Sequence, residues 1–227
     1  MTGQLVIAVA VGGVICFITF ILKYAKISVM DGLPQRGGDC IVVERRGPLM
    51  QRNIRHIMDH WLLVVRLKGY IFFASADSLT NHLMEYIKEQ EELNVPHYRR
   101  LKYLVFDCSM LDGVDASAAK ALKRLQANAG KGMVRVVWTH LTPAFASELR
   151  MRGVLKQNSK DVFNDIEEVV MQVEHAGKSY LQNIEKKWVS LHPAFAKWAK
   201  INAAQFSFEP FSHIFLSPMY RIGTPWK

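Results

Sequence analysis

The sequence predicts an α/β domain with a mainly parallel β-sheet and surrounding helices, preceded by one transmembrane α-helix. Three observations carry this. Between residues 61 and 176 short apolar, β-branched runs alternate with stretches of helical period, the pattern of crossover units that lay successive strands side by side. Residues 5–22 read LVIAVAVGGVICFITFIL, 18 residues without a charge. Turn and cap signals, among them Gly69, Thr142-Pro143 and Gly153, fall between the periodic segments.

At a rise of ~1.5 Å per residue the apolar run reaches about 27 Å, close to the hydrocarbon thickness of a bilayer. Gly12 and Gly13 suit a span that packs against a neighbouring helix. Lys23, Tyr24 and Lys26 follow it as interface anchors, and only the uncharged Met1–Gln4 precedes it, so no basic n-region marks a cleaved leader. The excess of positive charge after the span puts the C-terminal domain in the cytoplasm of an integral, single-pass membrane protein, with membrane lipid as its first partner.

Residues 1–26 are thus the transmembrane helix and 27–54 a partly ordered connector, with Pro34, Gly37–Gly38 and Pro48. The folded domain covers 55–176. Trp61–Leu67 and Tyr70–Phe73 read as strands that turn at Gly69 into a hairpin-like pair. Ser75 caps the next helix, in which Leu79, Leu83, Tyr86 and Ile87 share a face. Tyr103–Phe106 is a strand buried on both sides, and residues 107–115 form a loop before a helix with Ala118, Ala121, Leu122 and Leu125 inward. Met133–Trp138 is the next strand. Phe145 and Leu149 face inward from the helix after Pro143; Val162–Phe163 is a short strand, and Ile166, Val169, Val170 and Val173 trace a closing helix.

The runs VVRLKGYIFFASADSL, YLVFDCSMLDGVDASAAKAL, MVRVVWTHL and LTPAFASELRMRGVL, in this order, resemble the STAS domain over roughly residues 55–176. That domain occurs at the cytoplasmic end of SulP-type sulfate and anion transporters, and alone in bacterial anti-sigma-factor antagonists. The resemblance implies a regulatory, protein-binding role, with Asp107, Asp112, Asp115, Ala116 and Ser117 as the partner-contact loop. An apolar span just upstream is similar to the last helix of a SulP transporter, which implies other transmembrane helices or a transporter core as partners, besides a protein partner or a homodimer. One span cannot enclose an anion pathway, so the chain reads either as part of a longer transporter or as a freestanding tethered module. The antagonists carry their phosphorylated serine where this sequence has Ala116. Ser117, one residue later, reads as a helix-capping residue or, on the sharper view, a phosphosite.

Other chemistry is not indicated. There is no GxGxxG, P-loop, HExxH or GxSxG motif, so neither an enzyme nor a cofactor is expected. His56 and His60 have the i, i+4 spacing of metal ligands but no third ligand spaced with them, and Cys16, Cys40 and Cys108 form no CxxC, so no metal is expected. The helix start at 115–118 offers free N–H groups to an anion or a nucleotide phosphate, although Asp115 opposes one. A net charge of +9 invites a nucleic-acid reading, but no RNA-binding signature or basic–aromatic repeat accompanies it, and nucleic acid is not expected as a partner. Residues 177–227 form a C-terminal aromatic and basic tail, with Trp188, Phe195 and Trp198 among prolines 193, 210, 218 and 225. It reads as packing on its own domain or docking on a membrane surface or partner.

Overall fold

A computed structural model describes residues 2–25, 29–40, 48–92, 95–157 and 159–191. The chain divides into two compact units: residues 1–34, 64–95 and 102–164 make the first, and 35–63, 96–101 and 165–227 the second.

The first unit holds a twisted α/β layer. Strands β2 (Leu62–Ile71), β3 (Tyr103–Val114), β4 (Arg135–Thr139) and β5 (Val162–Phe163) lie in that order across the sheet. β3 and β4 run parallel with Phe106 opposite Trp138, and β4 and β5 run parallel with Trp138 opposite Val162. Parallel strands need covering on both faces, and their sequences answer with unbroken apolar runs. Leu104, Val105, Phe106, Val136, Val137 and Trp138 are all buried, the Phe106 and Trp138 rings 4.9 Å apart. Helices α3 (Phe73–Glu92), α4 (Ala116–Lys131) and α5 (Pro143–Met151) bury Leu79, Leu83 and Ile87, Leu122 and Leu125, and Leu149, as their periods require.

The hairpin expected around Gly69 does not form. Gly69 takes φ +67°, a conformation that only glycine adopts without strain, yet the strand continues through it to Ile71. The antiparallel neighbour lies upstream instead: Met30 bridges Leu67, and Asp31 N–H donates to the Arg66 carbonyl at 2.9 Å. Helix α3 consequently begins at Phe73, and Ser75 sits inside its first turn, where its hydroxyl donates to the Phe72 carbonyl and accepts from the Phe72 N–H, both at 3.0 Å.

Helix α1 runs Thr2–Ala25. Its described side chains are apolar and open: Val6, Val9, Val14 and Phe17 are 58–71% exposed. Among the described residues no helix is long and apolar enough to cross a membrane, so the structure does not support the expected span. The side chains of Leu5, Ile21 and Leu22, which complete the apolar run, lie outside the described residues.

In the second unit, β1 (Gln35–Arg36) and a 3-10 turn at Gly37–Cys40 precede helix α2 (Pro48–Trp61), and α6 runs Ile166–Leu191. The connector expected over 27–54 therefore contains the first half of α2, a helix opened by proline at its first position that buries Ile54, Ile57 and Met58. Charged and polar residues between those apolar positions hid its helical period. Gly37 is required here, because a Cβ on it would lie 2.5 Å from the Met58 carbonyl oxygen. The Trp61 ring meets Tyr180 edge-on at 5.2 Å, and its Nε1 donates to the Tyr98 carbonyl at 2.8 Å. Helix α6 takes in the first part of the expected 177–227 tail; the segment around Pro193 lies outside the described residues.

Candidate functional site

Asp107 lies in the middle of β3, where β4 stops. The ladder between the two strands ends at the pair Asp107–Thr139, and the next residue, His140, turns the chain with φ +56°, its N–H donating to the Asn164 carbonyl. A residue other than glycine at positive φ is uncommon, though histidine adopts it more readily than most. The turn brings the His140 ring to Asp107, with Nδ1 2.9 Å from Oδ1. Arg66 of β2 donates from Nε to Oδ2 at 3.2 Å, and the Ser109 N–H donates to Oδ1 at 3.0 Å. The carboxylate is 4% exposed, whereas Arg66 and His140 are each 38% exposed. Burial alone pushes the Asp107 carboxyl up, but hydrogen bonds from Ser109 and His140 outweigh it and hold the group below the usual carboxylate range. The result is a buried anion gripped from three sides, with Nε2 of His140 on the outer side of the pair.

Beyond Asp107, β3 extends seven residues further, to Val114, without β4 beside it. Ser109, Met110 and Asp112 are exposed there, Met110 at 52%. The loop expected over 107–115 is thus strand as far as Val114. A Gly113 Cβ would lie 2.8 Å from the Tyr70 ring, so glycine is what lets β3 pass under that side chain. Tyr70, Phe72 and Phe73 are exposed beside it, with the Tyr70 and Phe72 rings 4.8 Å apart.

Asp115 closes the strand. Its N–H donates to the Ile71 carbonyl at 3.0 Å, so the C-terminal ends of β2 and β3 lie side by side. Its carboxylate accepts from the Ala118 N–H as the N-cap of α4, and from the Phe73 N–H at 3.1 Å at the start of α3. One carboxylate therefore serves two helix starts, and it occupies the donors an anion would use. Ala116 and Ser117 follow, exposed in the first turn of α4.

Of the five expected contact residues, Asp112, Ala116 and Ser117 are exposed, and Asp115 is half-buried as the cap between them. Asp107 is buried, 3% exposed, and faces inward. His140, Arg66 and Ser109 were not singled out by the sequence. Their only signal is the His at the end of an apolar strand and the Arg inside one, positions where a charge needs a partner.

A model of the STAS domain family matches residues 48–169, more than half of the chain. The chain belongs to the STAS family. Among the curated proteins compared, none matches its sequence. Solved structures similar to this STAS domain include the murine Solute Carrier 26 family member A9 anion transporter in the inward-facing state, 18% identical over 74% of this chain, with a TM-score of 0.48. The STAS domain of a SulP transporter from Vibrio cholerae is 18% identical over 62% of this chain and 99% of its own, at a TM-score of 0.37. The anti-sigma factor antagonist SpoIIAA in its unphosphorylated form is 12% identical over 51% of this chain and 90% of its own, at 0.41. This chain spans 25% of the murine transporter's length and 21% of another SLC26A9 chain.

Proposed function

We propose that this STAS domain is the regulatory and interaction module of a membrane sulfate or anion transporter of the SulP type, and that it acts by binding a protein partner, not by catalysis. The observation that carries the contact surface is the free stretch of β3 from Ser109 to Asp112. It runs past the end of β4 and is followed by the exposed first turn of α4, rigidly seated by Asp115. The exposed side chains of Ser109, Met110 and Asp112, with aromatic neighbours at Tyr70 and Phe72, give a partner a surface to contact.

Helix α1 is its membrane attachment in this reading, supported by the open apolar side chains of Val6, Val9, Val14 and Phe17 and by the basic residues after the helix. The α/β part then stands in the cytoplasm, beside the other spans of the transporter. Ala116 in place of an acceptor serine favours control by shape over control by phosphorylation. The second reading is a freestanding tethered module that binds a partner protein or a nucleotide and transports nothing. The STAS family model, which matches residues 48–169 and leaves α1 outside the match, is compatible with it.

Purification from native membranes separates the two. On the transporter reading the chain resists carbonate extraction and carries, or copurifies with, further hydrophobic spans. Release into the carbonate supernatant sinks the membrane attachment, and a chain that stays in the membrane without any such spans supports the tethered module.

A further inference from the structure

The charge of this protein is not spread over it. Residues 116–160 hold nine lysines and arginines against a single acid, Glu148, a balance of +8 out of the +9 of the whole sequence. Seven of them lie on α4, at the end of α5 and just after it, whereas Arg135 starts β4 and pairs with Asp161. On α4, Lys120, Lys123, Arg124 and Lys131 recur at helical spacing and are exposed, opposite the buried Leu122 and Leu125. The end of α5 lies beside them: a Cβ on Gly153 would stand 3.1 Å from the Lys123 ammonium. Arg150, Arg152 and Lys156 flank that glycine, all exposed. Arg124 pairs with Asp77, and Arg152 with Glu148, so acids blunt only part of the face. Met151 sits between the two arginines and is 80% exposed.

We propose that this α4–α5 face lies against an anionic lipid surface. Charge complementarity selects an anion, and the shape selects an extended one. The cations are spread over α4, the end of α5 and the turn after it. An open apolar methionine among cations suits a headgroup layer with acyl chains beneath, where each basic side chain adds attraction and the methionine adds burial. The choice of lipid over another polyanion rests on the membrane reading of α1 given above.

The test is the rate at which the full chain associates with vesicles of phosphatidylcholine alone and of phosphatidylcholine with phosphatidylserine, followed by intrinsic fluorescence. The wild type associates at least about tenfold faster with the anionic vesicles in low salt, and the gap closes in high salt, as electrostatic steering requires. Lys120→Glu, Lys123→Glu and Lys156→Glu together abolish the gap. Lys88→Glu, Lys186→Glu and Lys187→Glu, the same change of charge on α3 and α6, preserve it. Equal rates on the two vesicles in the wild type overturn the proposal, as does a gap kept by the first variant or lost equally in the second. Capture of RNA with indifference to vesicle composition assigns the face to nucleic acid and overturns it too. If α1 is not a membrane attachment, salt-resistant binding to phosphatidylcholine alone disappears while the rate gap stays readable, so the two readings fail separately.

Discussion

Nδ1 of His140 lies 2.9 Å from Oδ1 of Asp107, and this contact closes the gap left where β4 ends against the middle of β3. With Arg66 on the other oxygen, the buried carboxylate becomes the electrostatic centre of the sheet's C-terminal end.

Asp107→Asn should therefore destabilise the protein. The amide keeps the shape but offers Arg66 and His140 no charge, and hydrogen bonds to charged groups contribute about 1.5–3 kcal/mol each when buried. Both partners are 38% exposed and regain water, so a total loss of about 1–3 kcal/mol is expected by urea denaturation at neutral pH.

The same carboxylate sets an acid dependence. Asp107 binds its proton more weakly folded than unfolded, so its contribution is complete above the unfolded value of about 4 and is lost as pH falls through the lower folded value. The stability difference between wild type and Asp107→Asn should hold constant from neutral pH down to about 5 and shrink below about 4. A difference that grows in acid would contradict the assignment.

Phe106 is fully buried against Trp138 in the central pair of strands. Phe106→Ala should cost about 3–5 kcal/mol, the usual loss for a deleted core aromatic. A cost under about 1 kcal/mol would remove β3 from the centre of the core.

Asp115→Ala should cost about 1–2 kcal/mol, toward the upper end for an N-cap, because the side chain also holds the Phe73 N–H. Ser117→Ala should leave stability and partner binding nearly unchanged, since Asp115 already supplies the cap. Stoichiometric phosphate on Ser117 in protein from its own membrane, with function lost in the alanine variant, would restore the phosphorylation switch.

Burial pushes the Cys108 thiol far up, with the Asp107 charge adding to the effect. Cys108 should resist a maleimide in the native protein and react only on unfolding, at a rate set by opening of the β3 segment. Prompt native labelling at Cys108 would mean that β3 frays there.

The sheet and its helices were legible because their signals are local. Apolar runs at Tyr103–Phe106 and Met133–Trp138 and the Thr142-Pro143 cap each sit within a few residues of what they specify. Three features were not. Gly69 looks like a turn in one dimension, and only the pairing of Met30 with Leu67 shows that the strand runs on. Helix α2 carries its apolar residues among histidines and arginines, so its period is weak until Ile54, Ile57 and Met58 are seen buried. The Asp107 cluster joins residues 41 and 33 positions apart, and nothing near Asp107 announces Arg66 or His140.

The most direct test of the contact surface is a photo-crosslinking side chain at Met110, in the free stretch of β3, compared with one at Lys186 on α6. Protein activated in its own membrane should give a discrete crosslinked protein adduct from position 110 and none from 186. Adducts from 186 alone, or from neither position while the chain remains bound to its partner, would contradict the surface proposed from β3 and the start of α4.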